Sequence, residues 1–263
     1  MTEIVAILNL TPDSFSDGGK YNAPEMAETR ITELQSQGAK IIDIGAESTR
    51  PGAALLSQEE EWGRLKKILP LLKKFPDITF SLDTYHPETA RKSLEYGVGW
   101  INDVYGKNDP AMLEIVKNSV VKYVIMHNLG LPSDPKKTIP LNQDSIMEII
   151  KWAEKKLSDI SRFGIDLRKI IFDPGLGFGK TTEQNWEIIR HAGDFQKLSV
   201  PLMFGHSRKS FLSRGKKESP EKRQAATDSV STRLAEKKID YLRVHDFLAT
   251  KRAIEIVEHL FAN

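Results

Sequence analysis

The chain contains no cysteine, which excludes disulfides, thiolate nucleophiles, iron–sulfur clusters and cysteine-ligated zinc, and suits a reducing compartment. It has no run of about 18 apolar residues, so nothing reads as a membrane-crossing helix. The start, Met1-Thr-Glu-Ile-Val-Ala, lacks the basic and apolar regions of a secretory signal and the Arg/Ser-rich pattern of a transit peptide. An excess of charge is missing too: 38 Lys+Arg against 36 Asp+Glu leave +2, too little to imply a nucleic-acid or anionic-membrane surface. The six histidines form no His-x-x-x-His pair, which argues against zinc.

What is present is alternation. Eight short apolar runs of strand length, Ile4–Leu10, Ile41–Gly45, Thr79–Asp83, Trp100–Asp103, Tyr123–His127, Ile170–Asp173, Pro201–Gly205 and Tyr241–Val244, are each followed by a stretch that can form a helix. One helical stripe holds Ile146, Ile149, Ile150, Ala153, Leu157 and Ile160, and another Ala253, Ile254, Val257, Leu260 and Phe261. Eight units of about 33 residues match a (β/α)8 barrel of about 250 residues. The fold expected is therefore an α/β TIM barrel forming one domain over 1–263. A doubly wound open sheet is the competitor, but the first strand runs into Asn9-Leu-Thr-Pro rather than a glycine-rich turn.

Nearly every run ends in a group that hydrogen-bonds or ionises: Asn9, Asp43, Asp83, Asn102 with Asp103, His127, Asp173, Ser207 and Arg243 with His245. In a barrel these ends share one face, so residues far apart in sequence converge on one mouth. Three carboxylates gathered there (Asp43, Asp83, Asp173) repel one another and lose hydration unless a metal or a ligand rich in N–H groups offsets them. The loop from Asn9 to about Asn22 is long and glycine-rich, which suits a lid. The sixth loop, Asp173-Pro-Gly-Leu-Gly-Phe-Gly-Lys180-Thr181, is superficially like a phosphate-binding P-loop. It has Pro174 where that motif requires glycine, so a nucleotide-hydrolase reading fails; it reads as a flexible backbone able to approach a ligand closely. In the seventh loop Arg208 and Lys209 suit a bound anion, and Lys216 and Lys217 a solvated surface. No Gly-x-Ser-x-Gly elbow occurs.

The motifs Ile7-Leu-Asn-Leu-Thr-Pro-Asp-Ser-Phe-Ser-Asp-Gly-Gly, Asp43-Ile-Gly-Ala-Glu-Ser-Thr-Arg-Pro-Gly, Ser81-Leu-Asp-Thr, Ile101-Asn-Asp, Asp173-Pro-Gly-Leu-Gly-Phe-Gly-Lys, Gly205-His-Ser-Arg-Lys-Ser and Arg243-Val-His-Asp resemble those of the dihydropteroate synthase family. They run in order from the first strand to the last. The resemblance implies a cytoplasmic folate-pathway transferase that joins 6-hydroxymethyl-7,8-dihydropterin diphosphate to 4-aminobenzoate, releasing pyrophosphate. It also implies a catalytic set of Asp83, Lys209, Arg243 and His245. Asp83, Asn102 and Asp173 would read the N–H-rich pterin edge, Lys209 would meet the ring's acceptors and Arg243 would stack on its face. Thr49, Arg50, Arg243 and His245 would hold the diphosphate, with Asn9 a ligand of Mg2+. Phe15, Pro51, Phe178 and Ser207 would form the 4-aminobenzoate slot, which is the expected sulfonamide-sensitive site. The implied reaction ionises first to a cationic pterin, which the arylamine then attacks, so no strong base is demanded.

By the same resemblance the partners are these two small molecules, with no nucleic acid and no membrane; a homodimer is expected, and the chain fits the synthase portion of a bifunctional folate protein. Pterin-dependent methyltransferases share the acid–Asn–acid reader but have no reason to keep the Asn9 lid or the Ser207-Arg-Lys loop. A catalytically silent pterin-binding homologue is the other alternative. The family usually carries a short hairpin before its first strand, whereas three residues precede Ile4 here; the resemblance then implies an open barrel floor or one covered from elsewhere. Ala46, Tyr105 and the His127-Asn128 pair also depart from common family residues.

Overall fold

The structure, a computed structural model, describes residues 1–10, 24–47, 55–134 and 136–261. The strands are β1 (Glu3–Asn9), β2 (Ile41–Gly45), β3 (Thr79–Asp83), β4 (Val98–Asp103), β5 (Lys122–Met126), β6 (Ile170–Asp173), β7 (Met203–Phe204) and β8 (Tyr241–Val244). The helices between and after them are α1 (Pro24–Ser36), α2 (Gln58–Leu65), α3 (Pro87–Ser93), α4 (Pro110–Lys117), α5 (Ser145–Arg162), α6 (Thr182–Arg190), α7 (Gln224–Glu236) and α8 (Phe247–Phe261). All ladders are parallel and run β6-β5-β4-β3-β2-β1-β8-β7. A single parallel bridge, Phe172 to Leu202, joins the two ends. The result is the TIM barrel expected from the alternation.

β7 is shorter than its apolar run. Pro201 has no N–H to give a ladder, although its carbonyl accepts Phe172 N–H at 2.9 Å. Leu202 N–H turns instead to the Asp240 carboxylate at 2.8 Å. The seam of the barrel is thus held by isolated bonds rather than by a full strand pair.

Two apolar layers separate outside from inside. Between strands and helices lies the main core, to which α5 contributes its whole expected stripe, with Ile149 and Ala153 both wholly buried. Asp144 starts that helix by accepting Ile146 N–H at 2.9 Å and Met147 N–H at 3.1 Å. The α8 stripe holds at Ile254 and Val257, but Leu260 is 71% exposed. At 3.6 residues per turn, position 260 falls roughly 90° from the centre of the stripe; the Phe261 side chain lies outside the described residues.

Inside the barrel a second apolar cluster comprises Val5, Ile41, Trp100, Val124, Ile171 and Met203, with Tyr241 packed against it. Trp100 meets Tyr241 edge-on at 4.9 Å, and Lys122 Nζ sits 5.9 Å from the Trp100 ring. Trp100 is only 5% exposed, so the floor is filled from within by the first inward residues of the strands. Among the described residues no helix is long and apolar enough to cross a membrane.

Removing buried volume from α5 should show how much it carries. Ile149→Ala is expected to lower the unfolding free energy by about 2–5 kcal/mol in urea titrations. Val120→Ala, at a position 96% exposed, should change it by less than about 0.5 kcal/mol.

Candidate active site

Strand alternation builds the site. Side chains two apart share a face, so the strands that set Ile41, Trp100, Ile171 and Tyr241 in the floor place Asp43, Asn102, Asp173 and Arg243 directly above it. The ladder pairs Asp83 with both Gly45 and Asn102. An apolar base therefore carries an ionisable cup at the carboxyl ends of the strands.

Arg243 is the hub. Its Nε donates to Asp43 Oδ2 at 2.6 Å and its Nη2 to Asp83 Oδ2 at 2.8 Å. Asn102 Nδ2 reaches the same Asp43 oxygen at 3.3 Å. Burial works against the Arg243 charge, but Asp43 and Asp83 prevail and hold its pKa above the ordinary value. Burial pushes Asp83 up to about 7 while Arg243 pulls it down. Asp173 is also raised by burial, against the opposing pull of Lys209. Burial brings Lys209 down to about 8, with Asp173 acting the other way. From the sequence, a metal or a ligand is expected to offset the three acids; in the folded chain its own Arg243 and Lys209 do so.

The sixth loop is pinned, not flexible as its glycines had implied. Asp173 Oδ1 accepts Gly175 N–H at 2.7 Å, and Asn185 Oδ1 accepts Gly177 N–H at 2.6 Å. Gly175 has φ +69°, and a Cβ there would stand 1.9 Å from the His127 carbonyl oxygen, so no other residue fits. Lys180 is buried and donates to the Phe178 carbonyl at 2.8 Å, with its Nζ 2.8 Å from His127 Nδ1. Desolvation drives its pKa well down. Lys209 Nζ donates to the Leu176 carbonyl and lies 4.5 Å from the Phe178 ring centroid.

Ser207 and His245 meet just beyond the ends of β7 and β8. Ser207 Oγ accepts the His245 backbone N–H at 3.2 Å and lies 3.0 Å from His245 Nδ1. Arg208 is engaged by its own protein: Nε donates to Gln224 Oε1 at 3.0 Å. Lys216 and Lys217 are exposed. Asn9 ends β1 opposite Gly45, half-buried at the rim. Phe15, Thr49, Arg50 and Pro51 lie outside the described residues, as does most of the first loop.

Two of the departures from family residues, Asn128 and Tyr105, join loops through their side chains. Asn128 Nδ2 donates to the carbonyls of Val104 at 2.6 Å and Tyr105 at 2.8 Å, tying the fifth loop to the fourth. Tyr105 packs edge-on against Tyr85 at 5.6 Å. Glu47 Oε1 accepts both Tyr85 O–H at 3.0 Å and Leu56 N–H at 2.9 Å. Ala46 offers its carbonyl to Arg64 Nη1 at 2.8 Å. The sequence places Asp43 among the carboxylates of the mouth without a binding role, and it assigns no site role to Glu47 or Lys180.

Fold and cup together define a (β/α)8-barrel enzyme with its chemistry at the strand ends. The chain belongs to the pterin-binding enzyme family, whose profile matches residues 5–245. It is similar to the dihydropteroate synthase of Clostridium beijerinckii, at 36% identity covering 98% of this chain and 93% of that protein. It is 37% identical to the folate synthesis bifunctional protein of Chlamydia caviae, covering 96% of this chain but 58% of that protein. The chain thus spans little more than half the length of that curated relative. Among solved structures it resembles the dihydropteroate synthase of Anaplasma phagocytophilum with bound 6-hydroxymethylpterin monophosphate. That match has TM-score 0.89 and 38% identity, covering 98% of this chain and 99% of that one.

The order of charges in the cup is open to titration. In carbon-13-labelled protein the Asp83 carboxylate should titrate with a midpoint of about 7. Arg243→Met should move that midpoint higher, because burial then acts with no guanidinium against it. A midpoint in the usual Asp range would contradict the arrangement.

Proposed function

We propose that the chain is a dihydropteroate synthase, joining 6-hydroxymethyl-7,8-dihydropterin diphosphate to 4-aminobenzoate. The carrying observation is the cup in which Asp83, Asn102 and Asp173 stand beside Arg243 and Lys209. Such a set reads an aminopyrimidinone edge, because its N–H groups need carboxylate or amide oxygens and its ring nitrogens need donors. The family membership and the pterin bound to the Anaplasma relative support this reading.

In the reaction the pterin methylene carbon loses its bond to diphosphate oxygen and gains one to the aminobenzoate nitrogen, which gives up a proton. Ionisation comes first: the electron-rich pterin spreads the cationic charge, and the Asp83 carboxylate stabilises it. Arg243 faces the ring, and Lys209 leaves the Leu176 carbonyl to meet the ring's acceptors. Thr49, Arg50, Arg243 and His245 take the departing diphosphate. Phe178, with Phe15 and Pro51, forms the aryl slot, and Ser207 binds the aminobenzoate carboxylate. This slot is the one a sulfonamide would enter.

Mg2+ belongs to the same proposal. Among the described residues no group of three or more His, Asp or Glu could hold a metal. Asn9 offers a rim amide oxygen, and one protein oxygen completed by phosphate oxygens and waters suits Mg2+. When bound, the ion would spread the charge of the leaving diphosphate. A cytoplasmic homodimer is likewise proposed; Ile256 and Leu260, one turn apart on α8 and 64% and 71% exposed, suit self-association. A second enzyme portion on a longer chain is consistent with the bifunctional relatives.

Incubating the protein with Mg2+, dihydropterin diphosphate and 4-aminobenzoate should yield dihydropteroate and pyrophosphate; pterin binding without turnover would instead indicate a silent homologue. Asp83→Ala or Asp173→Ala should weaken calorimetric binding of a pterin lacking diphosphate by about 10–100-fold. Asn9→Ala should leave that binding intact and depress Mg2+-dependent turnover. The pH profile of kcat/KM should rise through about 7 as Asp83 ionises and fall through about 8 as Lys209 loses its proton. Asp83→Asn should remove the rising limb.

A further inference from the structure

Asp43 is wholly buried, at 0% exposure, in the middle of β2. Its ladder neighbours, Ile7 on β1 and Ser81 on β3, are uncharged. It bonds instead two strands away in each direction, since β2 lies midway between β4 and β8 in the order β4-β3-β2-β1-β8. One oxygen, Oδ2, receives Arg243 Nε from β8 and Asn102 Nδ2 from β4. The other, Oδ1, is buried without a hydrogen-bond partner among the described residues.

The two acids that hold Arg243 are unequally placed. The Asp83 side chain is 13% exposed and that of Arg243 20%, whereas Asp43 has no exposure at all. A ligand entering from the rim competes with Arg243 for the Asp83 carboxylate, but it meets Asp43 only after passing both. A guanidinium gripped at Nε by one carboxylate and at Nη2 by another keeps one charge-assisted hydrogen bond when the second is given up.

We propose that Asp43 is a positioning residue of the pterin site: it fixes Arg243 and Asn102 through one oxygen, so that Asp83 can exchange Arg243 for a ligand N–H while the guanidinium stays in place. This rests on the pterin-binding reading above. Asp43 is the fixed anchor and Asp83 the exchangeable partner, and the carboxylate does not itself touch the reacting carbon.

A double-mutant cycle tests this in the full chain, with Asp43→Asn, Arg243→Met and the double variant, each checked for cooperative thermal unfolding. Each single change should weaken calorimetric binding of 6-hydroxymethylpterin on the order of 10–100-fold. The double variant should be weaker than the worse single one by far less than the product of the two losses, the remainder being the Asn102 contact, and KM for 4-aminobenzoate should stay unchanged. Independent, multiplying losses, or unaltered pterin affinity in Asp43→Asn, would overturn the assignment. If Asp43→Asn does not fold, nitrogen-15 arginine labelling of the unaltered protein decides. An Arg243 Nε–H signal protected from exchange, with and without pterin, supports the anchor, and a rapidly exchanging one refutes it. Failure of the unaltered protein to bind pterin would sink the functional reading alone, since the ligand-free signal still reports on Asp43 and Arg243.

Discussion

A half-buried guanidinium between two carboxylates is the interaction on which the site depends. Three acids placed around a barrel mouth would each be driven toward the neutral form by desolvation and mutual repulsion. Arg243, bonded to Asp43 and Asp83, and Lys209, pulling on Asp173, let charge persist there. The balance is close: Asp83 near 7 and Lys209 near 8 leave both groups poised around neutrality. Such a cup is preorganised for a polar ring, because binding exchanges internal pairs for ligand pairs rather than creating new buried charge.

That arrangement is possible because the barrel divides its interior by height. The floor, which includes Val5, Trp100 and Met203, is an apolar cluster separate from the core beneath the helices. It gives the ionisable layer a base of low polarity. Two residues further along each strand the chemistry changes, and the same backbone carries acids, an amide and an arginine.

The fourth, fifth and sixth loops above the cup are tied down by side-chain hydrogen bonds. The sixth is clamped at both ends by Asp173, Asn185 and the buried Lys180, which holds the Phe178 carbonyl and His127. Its glycines serve close backbone packing, with the His127 carbonyl against Gly175, rather than mobility. Asn128 joins the fourth and fifth loops in the same manner. The result is a stiff wall on the side where the aryl ring is proposed to sit.

The residues by themselves determined the fold class and the mouth. The β2, β3, β6 and β8 boundaries coincide with their apolar runs, since strand length and helix period are local properties. The polar strand ends were legible for the same reason. Legibility ended where distance in space replaced distance in sequence. Only the pairing of β1 with both β2 and β8 brings Asp43 to Arg243, 200 residues apart, and only the bend of the sixth loop onto His127 turns a glycine-rich segment into a rigid one. Local patterns state which way a side chain faces; ring closure, through the shared hydrogen-bond register of eight strands, decides which side chains meet and so which charges are paired.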